Sequence, residues 1–207
     1  MILQNMTYNE IASHLEKDQR EVYRYVKGIK FMRYRSEALK LKHYPLYFKP
    51  LFFHTTQHNR WFVMPVVREK KDLDIIPYYT GCLFERFNKM ALYIQMRLLS
   101  DETPMSFIFT DRFFERYAKR VQFNELSQEA IIFEFIKGIN KVGIKDYSKD
   151  SPSHSILFYD NGIALGHTSP SKTNLVVFHS YVSTHNGPDE LQKLNHEWDL
   201  ANSIFNI

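Results

Sequence analysis

Along residues 8–27, "YNEIASHLEKDQREVYRYVK", apolar Ile11, Leu15, Val22 and Val26 recur at helical spacing, separated by polar and charged positions. A second helical stretch over roughly 30–42 is strongly basic, with Lys30, Arg33, Arg35, Lys40 and Lys42. From Tyr47 the period changes. "LYFKPLFFHTT" and "WFVMPVVRE" are rich in aromatic and β-branched residues and flank "QHNR", which predicts a hairpin. Each arm holds a proline, Pro50 or Pro65, so at least one should be an edge strand or bulged. "DIIPYYTGCLF" predicts a third strand. Residues 88–99 fit either a helix with Phe87, Met90, Ile94 and Leu98 on one face, or a strand with Leu92, Ile94 and Met96. The strand is preferred, because "SDETP" then turns into the strand "MSFIFT".

Thr110 or Asp111 can cap a helix over 111–121, and Ser127 another, "QEAIIFEFIKGIN", apolar on more than one side and so expected to be buried. "SILFY" and "IALGH" follow, joined by Asp160-Asn161-Gly162, a strong hairpin signal, and then the strand "NLVVFHSYV". Pro188 opens a last helix with Leu191, Leu194, Trp198, Ala201 and Phe205 on one face. The expected class is α+β: a mostly antiparallel sheet with packed helices and an N-terminal helical arm. The expected division is a basic arm, 1–43, and a core domain, 44–207.

Composition narrows the chemistry. The 207 residues include 17 Phe and 13 Tyr but only 7 Gly, which excludes a low-complexity chain. No GxGxxG or GxxxxGK[ST] occurs. The nearest approach, Gly138 to Gly143, has Ile144 where the phosphate-binding lysine should stand. A single cysteine, Cys82, excludes an intramolecular disulfide. "MILQNMTYNE" has neither the basic start nor the apolar core of a signal peptide, and no apolar run approaches a bilayer span, so the expectation is a cytoplasmic protein without a membrane partner.

Charge is unevenly spread. Residues 1–50 hold 10 basic and 5 acidic side chains, residues 51–120 hold 11 and 8, and residues 121–207 hold 6 and 10. The basic two thirds can attract a polyanion. Arg112, Arg116 and Arg120 recur at i, i+4 and i+8, so they project from one helix face as a ladder for phosphate or carboxylate oxygens. Phe113, Tyr117 and Val121 lie on the neighbouring face and anchor it, while Glu115 is within reach of Arg112 and Lys119. Solvated or internally paired arginines are the plainer alternative.

Histidines offer no metal signature. His54 and His58 on an extended strand would stand roughly 13 Å apart, and "HEWDL" at His196 lacks the second histidine of HExxH. No metal and no cofactor is expected. His179 alternates along the last strand with Leu175, Val177 and Tyr181, which places those four on one face. His167 ends the strand before.

Two resemblances follow from these residues. "TYNEIASHLEKDQREVYRYVKG", residues 7–28, resembles a DNA-binding helix-turn-helix, with Ile11-Ala12, Leu15 and Val22 at the packing positions, although Glu16 stands where the motif turns with glycine. That resemblance implies Arg20, Glu21, Tyr23, Arg24 and Lys27 on a second helix that reaches phosphates and base edges. Residues 107–182, with an arginine helix facing a sheet that carries His and Tyr, are loosely similar in arrangement to the RelE-like small ribonuclease toxins, although here several strands precede residue 110. This similarity implies RNA cleavage without metal by Arg112, Arg116, His167, His179 and Tyr181.

The favoured reading is a non-catalytic nucleic-acid-associated or interaction protein, with DNA or RNA held by Arg20, Arg24, Lys27, Arg33, Arg35, Arg112, Arg116 and Arg120. The alternatives are the RelE-like ribonuclease and a protein-interaction module without nucleic acid. A homo-oligomer stays open. The exposed part of the Tyr and Phe set over 44–117 is a further candidate for stacking single-stranded bases.

Overall fold

The structure is a computed structural model that describes residues 2–41, 43–96, 104–123, 125–139, 144–146, 154–159 and 162–183. The expected terminal helix with its Leu191–Phe205 stripe, His196 and residues 100–103 of the "SDETP" turn lie outside the described residues.

The sheet is built from runs of alternating large apolar side chains, both of whose faces are covered. Strands β1 (Leu46–Tyr47), β2 (Leu51–His54), β3 (Arg60–Val67), β4 (Tyr78–Arg86), β5 (Lys89–Met96) and β6 (Met105–Phe109) come first. Then β7 (Ile144–Asp146), β8 (His154–Tyr159), β9 (Gly162–Ser169) and β10 (Lys172–Ser183) complete it. The spatial order is β1-β3-β4-β5-β6-β10-β9-β8-β7, with β2 also paired to β3. Every pairing is antiparallel except β6 with β10, which run parallel with Phe109 beside Phe178. The fold is therefore α+β around a mostly antiparallel sheet.

On one face, Phe62, Leu83, Leu92, Ile94, Phe107, Phe109, Val176 and Phe178 meet α4 (Asp111–Val121) and α5 (Gln128–Lys137) through Phe113, Phe114, Tyr117, Ile132 and Phe135. On the other, Trp61, Val63, Cys82, Phe84, Tyr93, Ile108, Leu175 and Val177 meet α1 (Tyr8–Glu16) and α2 (Gln19–Gly28) through Ile11, Ala12, Leu15, Val22 and Val26. The period-2 alternation of each strand supplies both layers at once. Of the stretch 88–99, residues 89–96 settle as strand, with Leu92 and Ile94 on the α4–α5 face, and 97–99 lie outside the described residues. Helix α3 (Met32–Ala38) covers the end of β3, where Tyr34 and Ala38 pack with Val67, Leu73 and Ile76.

Helix starts follow the capping side chains. Thr110 and Ser127 accept from the backbone N–H groups of Phe113 and Ala130, and Thr7 forms a reciprocal box with Glu10. Between α1 and α2, Asp18 is fully buried. Its Oδ2 accepts from Thr55 Oγ1 at 2.9 Å, Asn59 Nδ2 at 2.8 Å and Trp61 Nε1 at 2.8 Å, and so ties the helix pair to the β2–β3 hairpin. The two hairpin prolines face one another across an interruption. Pro50 lies between β1 and β2, and Pro65 sits in β3 opposite that gap, where its missing N–H breaks no ladder bond and its carbonyl accepts from Phe48.

Candidate active site

The parallel pair β6 and β10 sets the geometry. Where β6 ends, Thr110 N–H donates to the Phe178 carbonyl at 3.1 Å and the chain turns directly into α4. At the same level β10 is bulged. Phe178 is opposite Gly166 and Ser180 opposite Leu165, so two steps along β10 match one step along β9 and His179 is the extra residue. A bulge re-aims a side chain and inverts the alternation after it. His179 therefore points toward α1, with its ring centroid 6.1 Å from that of Tyr8. Tyr181 turns to the opposite face and is 1 % exposed, its ring packed against Phe113 and Tyr117. The expectation that His179 and Tyr181 share a face is corrected by this bulge. Burial, then Tyr117, pushes the Tyr181 phenol far above its ordinary range, so it is not a proton donor to this site.

His167 on β9 and His179 on β10 come together. Nε2 of His179 lies 3.2 Å from Nδ1 of His167, with ring planes 15° apart and centroids 4.9 Å apart. One ring must donate and the other accept, so the bridge carries a single hydrogen. Gly166 permits the approach. A Cβ there would lie 2.5 Å from the Val177 carbonyl oxygen and 2.8 Å from Phe178 Cδ1.

His179 is half-buried, and its pKa is lowered by burial first, then by the charges of His167, Arg112 and Arg116, with Asp111 acting in the opposite sense. The charges of those two arginines act on His179 from α4, and Arg116 donates to Oγ of Ser180, the residue next to His179. Arg120, one turn further, acts on Tyr181 instead. All three are exposed, and among the described residues none forms an ion pair. Glu115, within their reach in sequence, pairs with Lys89.

Two further side chains complete the cluster and were not evident from the sequence. Tyr8 opens α1, and the Arg86 guanidinium lies over its ring at 4.7 Å while Arg86 Nε donates to the Gln4 carbonyl at 3.4 Å. Tyr8 is 171 positions from His179 and Arg86 is 93. Only the sheet order, which puts α1 over β6 and β10, unites them.

The basic N-terminal residues lie elsewhere. Arg20, Arg24 and Lys27 are exposed on α2, which packs on the opposite sheet face from α4. Arg33 donates to the Tyr34 hydroxyl, and Arg35 approaches Asp74 at 3.8 Å. His54 and His58 sit at the β2–β3 turn, and among the described residues no three His, Cys, Asp or Glu side chains converge as metal ligands. Cys82 is buried, and burial raises its thiol pKa, so it is unreactive. Among the described residues no helix is long and apolar enough to cross a membrane. Comparison of the chain with protein-family models, with curated proteins and with solved structures finds no match.

Proposed function

We propose that the protein cleaves RNA phosphodiesters without a metal ion, at the site formed by Arg112, Arg116, His167 and His179. The single observation that supports this most is the bridged histidine pair beside two arginines that have no carboxylate partner among the described residues. Two guanidinium groups supply the positive charge that a phosphorane develops against, and burial first, then His167 and these charges, lowers the pKa of His179 and suits it to act as a base. The free nitrogen of His179 takes the proton of a ribose 2′-hydroxyl. The new 2′-oxygen–phosphorus bond forms as the bond to the 5′-oxygen breaks. The bridging hydrogen passes to His167, whose other N–H protonates the departing 5′-oxygen. The products are a 2′,3′-cyclic phosphate and a 5′-hydroxyl, and the pair ends neutral. This chemistry is the one implied by the similarity to RelE-like toxins, with Tyr181 left out of it.

The test is incubation with single-stranded RNA in excess chelator, followed by analysis of the product ends. Cyclic phosphate ends are expected, with cleavage reduced about 10²–10⁴-fold in His179→Ala and about 10²–10³-fold in Arg112→Ala. Intact RNA under all conditions, or full activity in His179→Ala, overturns the reading. A second reading, non-catalytic association with DNA or RNA, is favoured by the exposed row Arg20, Arg24 and Lys27 on α2. Its test is the salt dependence of duplex binding. Replacing all three by alanine should flatten the slope of log affinity against log salt by about 2–3.

A further inference from the structure

The β4–β5 hairpin closes on the pair Arg86–Lys89, so its turn is the two residues Phe87 and Asn88. Both have positive φ, 50° and 62°. Such a turn matches the strand twist, and its first position belongs to Asn, Asp or Gly. Phenylalanine is an outlier there, because its side chain makes the left-handed conformation unfavourable. Packing does not account for the choice, since Phe87 is 67 % exposed. Strain kept at an exposed position is a mark of function.

The neighbours indicate which function. The Arg86 guanidinium lies 5.6 Å from the Phe87 ring centroid and 4.7 Å from that of Tyr8, and Tyr8 is 6.1 Å from His179. Phe87, Arg86, Tyr8 and His179 thus form a continuous row from the hairpin tip into the histidine pair. Lys89, at the foot of the turn, is paired with Glu115 of α4, the helix that carries Arg112 and Arg116. The tip is fastened to the cationic side of the site. Flat rings and a guanidinium plane beside phosphate-neutralising arginines match a strand whose bases are unstacked and free to lie on them. A duplex hides its base faces and offers nothing to such a row.

We infer that Phe87, Arg86 and Tyr8 form a stacking platform for nucleobases of single-stranded RNA next to the phosphate held by Arg112 and Arg116. The inference rests on the phosphate site proposed above. The test uses a fluorescent 2′-O-methyl oligonucleotide, which lacks the attacking hydroxyl and stays intact, and an abasic strand of equal length. Phe87→Asn removes the ring and suits the turn, so its thermal midpoint should equal or exceed that of the unmodified protein. It should bind the base-bearing strand about tenfold more weakly and the abasic strand unchanged. Tyr8→Ala should act in the same direction. The double variant Arg112→Ala/Arg116→Ala should lose affinity for both strands. If Phe87→Asn keeps full affinity while the double variant loses it, the platform is refuted and the phosphate site stands. If the double variant keeps full affinity, the phosphate site itself is refuted. Equal affinity for duplex RNA and the single strand also overturns the platform.

Discussion

Replacing Asp18 by alanine should destabilise the protein by about 3–5 kcal/mol, the usual cost of breaking a buried charged network. The site permits the reasoning in steps. Oδ2 receives three hydrogen bonds at 2.8–2.9 Å in a place without solvent exposure. Bonds to a charged group contribute about 1.5–3 kcal/mol each, and against their sum stands a desolvation cost of several kcal/mol for the carboxylate. Alanine removes both terms but leaves three donors behind. The Thr55 hydroxyl can rotate to another acceptor. The Asn59 amide, one residue ahead of β3, and the Trp61 indole N–H, within β3, are buried, and each donor left without its acceptor costs about 1–3 kcal/mol. Asparagine should cost less, about 1–2 kcal/mol, because its carbonyl can stand in for Oδ2. Its amide then falls where Oδ1 is buried without a hydrogen-bond partner among the described residues. Urea titration followed by tryptophan fluorescence reads this directly, since Trp61 is one of the bonded partners. With a slope near 2 kcal/mol per molar, Asp18→Ala should lower the midpoint by about 1.5–2.5 M. A shift under about 0.5 M for alanine, or equal shifts for the two variants, would refute the latch.

Three further outcomes are expected. His179 has a folded-state pKa below its ordinary 6.5, so the unfolded chain binds more protons near that pH, and this contribution to stability is complete above 6.5 and lost as pH falls below it; urea midpoints between pH 7.5 and 5.0 should decline less in His179→Gln than in the parent, and parallel curves contradict this. Gly166→Ala should cost about 1–3 kcal/mol through the clash with the Val177 carbonyl, and it should depress RNA cleavage even at temperatures where melting curves show the variant folded; unchanged cleavage would mean that the histidine spacing does not depend on this contact. Lys89 and Glu115 are 44 % and 49 % exposed, so Lys89→Ala should shift the unfolding free energy by less than about 1 kcal/mol in denaturant.

Local signals in the sequence identified the elements well. Ser127 caps the helix it was expected to cap, and Thr110, one of the two candidates with Asp111, caps the other, because an N-cap depends on one side chain and the N–H three residues on. The β2–β3 and β8–β9 hairpins follow from turn residues between β-rich runs. The parallel pairing of β6 with β10 was not legible, since their paired residues are about 70 positions apart and nothing local distinguishes a parallel neighbour. Half of the site followed from it. Arg112 and Arg116 were visible as a helical ladder, and His167 and His179 as strand positions, whereas their meeting depends on register. Tyr181 was misplaced because alternation is counted along one strand, while a bulge is created between two. Asp18 gave no signal, because an acid at a turn between helices is usually solvated.

The paired prolines at the far end of the sheet bear on association between molecules. Among the described residues, the hydrogen-bonding border beyond β3 is two short pieces, of two and four residues, with Pro50 between them. An incoming strand would find no uninterrupted row of N–H and C=O groups to zip along, and it would have to bend around the break. Sheet-to-sheet growth through this border is thereby discouraged, and self-assembly on this side would have to proceed through side chains rather than main-chain pairing.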